Sequence, residues 1–92
     1  MQTDEIMEML QTIIAEVKGE EVEISLETDL IGDLLLDSVE IFAVVSQVEE
    51  KIGMEFDDVD LLGENFSCVK NFCQLIQIQL EKGKKRGLHN GI

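Results

Sequence analysis

Apolar residues recur at three- and four-residue intervals in three stretches of the chain, and each stretch predicts an amphipathic α-helix. Gly19 and Gly53 follow the first two stretches and are expected to end those helices in the left-handed conformation. The positions expected to face the core are Ile6, Met9, Leu10, Ile13, Ile14 and Val17 in the first helix, Val39, Ile41, Phe42, Val45, Val48 and Ile52 in the second, and Val69, Phe72, Cys73, Ile76 and Leu80 in the third.

The segments between these helices carry their own signals. Thr3 or Asp4 is a suitable N-cap for the first helix, and Ser67 for the last. Residues 20–37 form a connection that is too apolar for a disordered linker, so we expect Leu30 and Leu34 to be pinned onto the bundle. The aspartates of residues 57–63 predict one or two helical turns that end at Gly63. The core is expected to be aliphatic, and its largest side chains to be Phe42, Phe56, Phe66 and Phe72.

Ser38 is the candidate functional residue, because it lies where the long connection meets the second helix. As the N-cap or the first helical residue, it would point its hydroxyl outward beside backbone N–H groups that lack an intrahelical partner. A phosphate attached to this oxygen could accept hydrogen bonds from these groups and would lie favourably in the helix dipole. The alternative is that Asp37 and Ser38 only cap the helix, which is the commonest task of such residues.

The motif Asp37-Ser38-Val39-Glu40 at the head of this helix, followed by Val48-Glu49-Glu50-Lys51-Ile52-Gly53-Met54-Glu55-Phe56, resembles the acyl carrier protein family. The resemblance covers about residues 3–80. It implies an all-α, four-helix bundle with three longer helices, one short helix and a long first loop. It also implies that Ser38 carries 4′-phosphopantetheine through a phosphodiester, with Asp37 as part of the motif, and that Val39, Glu40 and Phe42 border the prosthetic arm and the partner enzymes.

By the same resemblance, the protein is a carrier and a substrate of other enzymes, with no catalytic residues of its own. It would hold acyl intermediates as thioesters for fatty acid, polyketide or related lipid or peptide biosynthesis. Carriers of fatty acid synthesis usually have Leu directly after the serine and Gly three residues before it, where this chain has Val39 and Leu35. Ala43 replaces a frequent Glu, and Asp57 a frequent Pro. These departures favour a specialised pathway.

The 92 residues allow one small domain with a formal net charge of −13. All 20 acidic residues lie in residues 1–81, beside only three lysines, so this expected carrier domain has a net charge of −17, whereas residues 82–92 form a basic tail that we expect to be flexible. This charge argues against nucleic acid as a partner and favours enzymes with basic docking patches, including a phosphopantetheinyl transferase. The acidic residues expected to take part in recognition are Glu40, Glu49, Glu50, Asp57, Asp58 and Asp60.

Other functions find little support in the residues. His89, the single histidine, has no nucleophile near it in the sequence, and a calcium loop at residues 58–69 lacks two of its ligands. We therefore predict no metal site. No apolar run approaches the roughly 18 residues that span a bilayer, and the N-terminus is acidic, so we expect a cytoplasmic monomer without membrane insertion. An unmodified acidic helical adaptor that docks onto basic proteins stays open as the alternative.

Overall fold

The computed structural model describes residues 2–57, 60 and 63–90, with side chains as far as Lys82. Three α-helices occur in these ranges, α1 at Thr3–Lys18, α2 at Ser38–Ile52 and α3 at Val69–Asn90, together with a 3₁₀ helix at Gly63–Phe66. No strand is found in the part of the chain so described. The predicted all-α bundle of three longer helices, one short helix and a long first loop is confirmed.

Local sequence signals set the ends of α1 and α2. Gly19 and Gly53 adopt positive φ angles of 73° and 71°, and their N–H groups donate to the carbonyls of Ala15 and Glu49. The prediction that Thr3 or Asp4 caps α1 is wrong, because Gln2 holds the N-cap position. Its backbone N–H donates to Glu5 Oε1 at 3.0 Å, so an acidic side chain of the first turn satisfies the N–H of the N-cap residue.

The core lies between α1, α2 and α3, and Phe72 at its centre is fully buried. Its ring meets that of Phe66 edge-on, with centroids 5.2 Å apart, and that of Phe56 at 6.3 Å. The predicted stripes of α1 and α3 are confirmed as buried or partly buried. The prediction for α2 is wrong at two positions, since Val39 is 76% exposed and Phe42 63% exposed. Val44 faces the core instead, so the buried face of α2 is rotated relative to the predicted stripe.

The long first loop packs onto the bundle. Leu30 and Leu36 are buried and Leu34 is half-buried, which confirms the prediction that this loop is anchored by its leucines. The loop also caps α3, since the N–H groups of Val69 and Lys70 donate to the carbonyls of Thr28 and Leu26 at 2.8 and 2.9 Å.

This arrangement corrects the predicted N-cap of the last helix. The Ser67 hydroxyl donates to the carbonyl of Glu64 at 2.8 Å, so it bonds back to the 3₁₀ helix and leaves the capping of α3 to the loop. Donors at the start of α3 are therefore satisfied by carbonyls about 40 residues earlier in the chain.

The segment after α2 agrees in part with its prediction where it is described, since Asp60 is 3₁₀-helical within the predicted helical turns. Gly63 starts the 3₁₀ helix, although it was expected to end a helical turn, and Asp57 and Asp60 form a turn through a 2.9 Å backbone hydrogen bond. The other residues of the predicted turns, 58–59 and 61–62, lie outside the described residues. The backbone of α3 continues to Asn90, beyond the predicted domain boundary at residue 81, so the division into a domain and a flexible tail stays a prediction. Within the described ranges, no helix has the length and apolarity to cross a membrane.

Candidate functional site

Asp37 and Glu40 form a reciprocal cap at the start of α2. Asp37 has extended backbone angles, and its Oδ1 accepts a hydrogen bond from the N–H of Glu40 at 2.8 Å. In return, Glu40 Oε1 accepts from the N–H of Asp37 at 3.0 Å. Because this capping box already closes the first turn, Ser38 is the first helical residue and its hydroxyl is not needed as a cap.

Ser38 is exposed, and its Oγ makes no hydrogen bond with the residues that the structure describes. The N–H groups of Ser38 and Val39 are also without partners in the described part of the chain. They are the orphan donors of a helix N-terminus, where a phosphodiester can accept hydrogen bonds. The carboxylates of Asp37 and Glu40 repel such a group, while the helix dipole and the two N–H groups attract it. The residues present therefore fit a phosphate ester on Ser38 Oγ.

The loop that leads to Ser38 is held on both sides of Leu35. Before it, the carbonyl of Leu34 accepts a hydrogen bond from Lys18 Nζ at 2.9 Å, and after it the N–H of Leu36 donates to the carbonyl of Leu30 at 3.1 Å. Leu35 between them has a φ angle of 56° and is 74% exposed. A left-handed conformation costs about 1–2 kcal/mol for a residue with a Cβ. The anchored neighbours on each side, Leu34 and Leu36, therefore hold a strained, outward-facing leucine three residues before the serine.

A small apolar hollow lies between α2 and the 3₁₀ helix. Ile41, Phe42, Val45 and Phe66 line a volume of about 40 Å³. Since a water molecule occupies about 30 Å³ of the liquid, this space is too small for an acyl chain unless the side chains move. Phe42, which is largely exposed, is the lining residue with the most freedom to move.

Two of the predicted recognition acids on α2 have structural roles in addition. Glu40 caps the helix as described, and Glu49 Oε2 accepts a hydrogen bond from the backbone N–H of Phe56 at 2.9 Å. Glu50 is exposed. The recognition role of these acids stays a prediction.

The acids after α2 are less completely described. Asp60 Oδ2 accepts from the N–H of Asp57 at 3.3 Å, which stabilises the turn between them. Asp58 lies outside the described residues. The sequence reasoning missed the contribution of Lys18 and the backbone angle of Leu35; for Leu35, the signal was a leucine at the position where the resembled family usually has glycine.

Cys73 is poorly placed for chemistry. Burial, followed by the neighbouring thiol of Cys68, raises the pKa of Cys73 to about 11, so its thiolate is scarce near neutral pH. Its Sγ lies 3.7 Å from the Met7 sulfur within the core. Among the described residues, no cluster of His, Cys, Asp and Glu could hold a metal ion. Cys73 is a core residue, as predicted, and Cys68 is half-buried.

Comparison with known proteins shows the family of this chain. A family model described as a phosphopantetheine attachment site matches residues 8–76. An acyl carrier protein of Coprothermobacter proteolyticus is 35% identical over 87% of this chain and 96% of its own length. An acyl carrier protein of Thermotoga maritima is 33% identical over 84% of this chain and 94% of its own. No solved structure matches the chain.

The match defines a carrier domain of the phosphopantetheine-binding class. Within that class, the chain belongs to the acyl carrier protein family, as its two relatives indicate. Its cofactor is 4′-phosphopantetheine. Proteins of this family are carriers rather than catalysts, and they act through partner enzymes.

Proposed function

We propose that Ser38 Oγ is the attachment point of 4′-phosphopantetheine, and that the chain carries acyl groups for fatty acid, polyketide or related lipid or peptide biosynthesis. The observation that carries this proposal is that the residues capping α2 and the exposed serine hydroxyl at its start are different residues. Asp37 and Glu40 cap the helix, while the Ser38 hydroxyl is exposed and without a hydrogen bond among the described residues. A serine that only capped the helix would be expected to accept from an N–H group of the first turn.

Once attached, the cofactor supplies a terminal thiol that holds an acyl group as a thioester. The residues of this chain act before and around that chemistry. In the loading step, Ser38 Oγ attacks the phosphorus that bears pantetheine in coenzyme A; a P–O ester bond forms as the diphosphate bond breaks, and the nucleotide leaves. The hydroxyl proton goes to a base of the transferase.

The positions of Val39 and Leu35 favour a specialised pathway over housekeeping fatty acid synthesis. Both replace residues that carriers of fatty acid synthesis usually have, and both present large apolar side chains beside Ser38. The partners we expect are a phosphopantetheinyl transferase and acyl-transferring or synthase enzymes with basic patches. Glu50 and Asp57, which are exposed, are suitable for contact with such patches.

Intact mass measurement before and after incubation with coenzyme A and a broad-specificity phosphopantetheinyl transferase tests the assignment. We expect a gain of one phosphopantetheine, which peptide mapping places on Ser38. Ser38→Ala should abolish the gain, whereas Ser46→Ala is the matched control, because Ser46 is an exposed serine of the same helix and should leave loading intact. If a known carrier is modified alongside while this apo chain is not, the adaptor function is supported instead.

A further inference from the structure

Leu35 is the only residue other than glycine with a positive φ angle among those described. Its neighbours account for the conformation of the backbone, since Leu34 is half-buried and held through its carbonyl, and Leu36 is buried. The side chain of Leu35 itself contributes little to the fold, because it is 74% exposed. Glycine or asparagine would adopt the same backbone with less strain. What the leucine contributes must therefore be sought outside the fold.

Two other exposed apolar side chains lie beside Ser38. Val39 follows it directly, and Phe42 is on the same face of α2 as Val39, three residues further on. The Cα of Leu35 is at most about 11 Å from that of Ser38, because only three peptide units separate them. We call Leu35, Val39 and Phe42 the Ser38 patch. A standard protein interface covers about 800 Å² per partner, a disc of about 16 Å radius, so an enzyme centred on Ser38 covers the whole patch.

Charge around the patch indicates what kind of surface fits it. Asp33, Asp37 and Glu40 are close in sequence to the patch, and each uses a carboxylate oxygen to accept a backbone N–H, which restrains its side chain. An apolar patch with an acidic rim is complementary to a shallow apolar hollow rimmed by Lys or Arg.

We propose that Leu35 is a specificity-determining residue of the contact with the phosphopantetheinyl transferase, which buries this side chain in such a basic-rimmed apolar hollow. The proposal rests on the proposed attachment at Ser38. In this contact the transferase recognises the surface next to Ser38 by burying Leu35, and its basic residues face the restrained acids around the patch. Burial of apolar area is insensitive to screening, whereas contacts between exposed charges weaken as salt rises.

The test is the steady-state kinetics of loading by the transferase with coenzyme A, using Leu35→Asn, Leu35→Met and wild-type apo protein. Asparagine tolerates positive φ and removes the apolar side chain, while methionine keeps it. We expect Leu35→Asn to raise the KM for the carrier about tenfold with kcat unchanged, as for loss of a largely buried leucine. Leu35→Met should stay near wild type. Ile78→Gln is the matched control, since Ile78 is 53% exposed but lies on α3, and its KM should be unchanged.

Thermal unfolding of each variant shows whether the fold is kept, and Leu35→Gly serves as a second variant with the same expected KM. The ratio of KM values between Leu35→Asn and wild type should be the same at low and high salt. Equal KM values for Leu35→Asn and wild type would overturn the proposal. The same result is expected if the patch covers the prosthetic arm of its own chain and does not contact the transferase. Failure of the wild type to load, with a known carrier loaded alongside, would instead overturn the attachment at Ser38.

Discussion

Replacement of Asp37 should separate its role in the fold from its charge. The Asp37→Ala variant loses the 2.8 Å hydrogen bond from the N–H of Glu40, and with it half of the reciprocal cap of α2. Loss of an N-cap costs about 0.5–2 kcal/mol. Because Asp37 is exposed, water can replace part of this hydrogen bond, so we expect the free energy of unfolding to fall by about 1 kcal/mol. For a domain of this size, that corresponds to a fall in Tm of about 4–8 °C.

Asp37→Asn is the matched variant, since asparagine caps a helix about as well as aspartate but carries no charge. We expect its free energy of unfolding to lie within about 0.5 kcal/mol of the wild-type value. Urea unfolding monitored by circular dichroism measures the stability of both variants. An unchanged slope of the free energy of unfolding against urea concentration shows that the variants and the wild type expose the same surface on unfolding. Equal stability of Asp37→Ala and wild type would refute the capping argument.

Loading of the same variants then tests what Asp37 does for Ser38. Asp37 belongs to the acidic rim around the Ser38 patch, so Asp37→Asn, which keeps the cap, should be loaded with a higher KM than wild type. Loading at the wild-type rate would show that the aspartate only positions the first turn. A stable Asp37→Asn variant that is loaded poorly would show that the transferase uses the negative charge itself.

Three further predictions concern stability. Leu35→Gly should raise the free energy of unfolding by about 0.5–1 kcal/mol in urea, because relief of the left-handed strain exceeds the added entropy of a glycine in the unfolded chain; a loss of stability would contradict the strain. Phe72→Ala should destabilise the fold by about 3–5 kcal/mol, and Phe42→Ala, on the exposed side of α2, by no more than about 0.5 kcal/mol; similar losses would refute the rotated face of α2. The pKa of Cys73 is raised in the fold from about 9 to about 11, so the unfolded chain loses its thiol proton first and stability should fall as pH rises from about 9 to 11. Cys73→Ala should lack that part of the fall in equilibrium unfolding, and identical pH profiles would contradict it.

How far the sequence reaches is seen in the two ends of α2. The aspartate before Ser38 and the glycine after Ile52 act on backbone groups within four residues, so the helix runs from Ser38 to Ile52 as predicted. The place of Ser38, at the first position of a capped helix, follows from the same local interactions. Such signals are readable from the sequence because all the atoms that decide them are neighbours in the chain.

Tertiary structure decided what depends on distant partners. A three- and four-residue spacing predicts a stripe, but whether Val39 and Phe42 or Val44 faces inward depends on where α1 packs against α2. The first N–H groups of α3 donate to the carbonyls of Leu26 and Thr28, and no local sequence pattern predicts these partners. Leu35 adopts its positive φ because packing anchors the residues on each side of it, and packing is a property of the whole fold rather than of a segment.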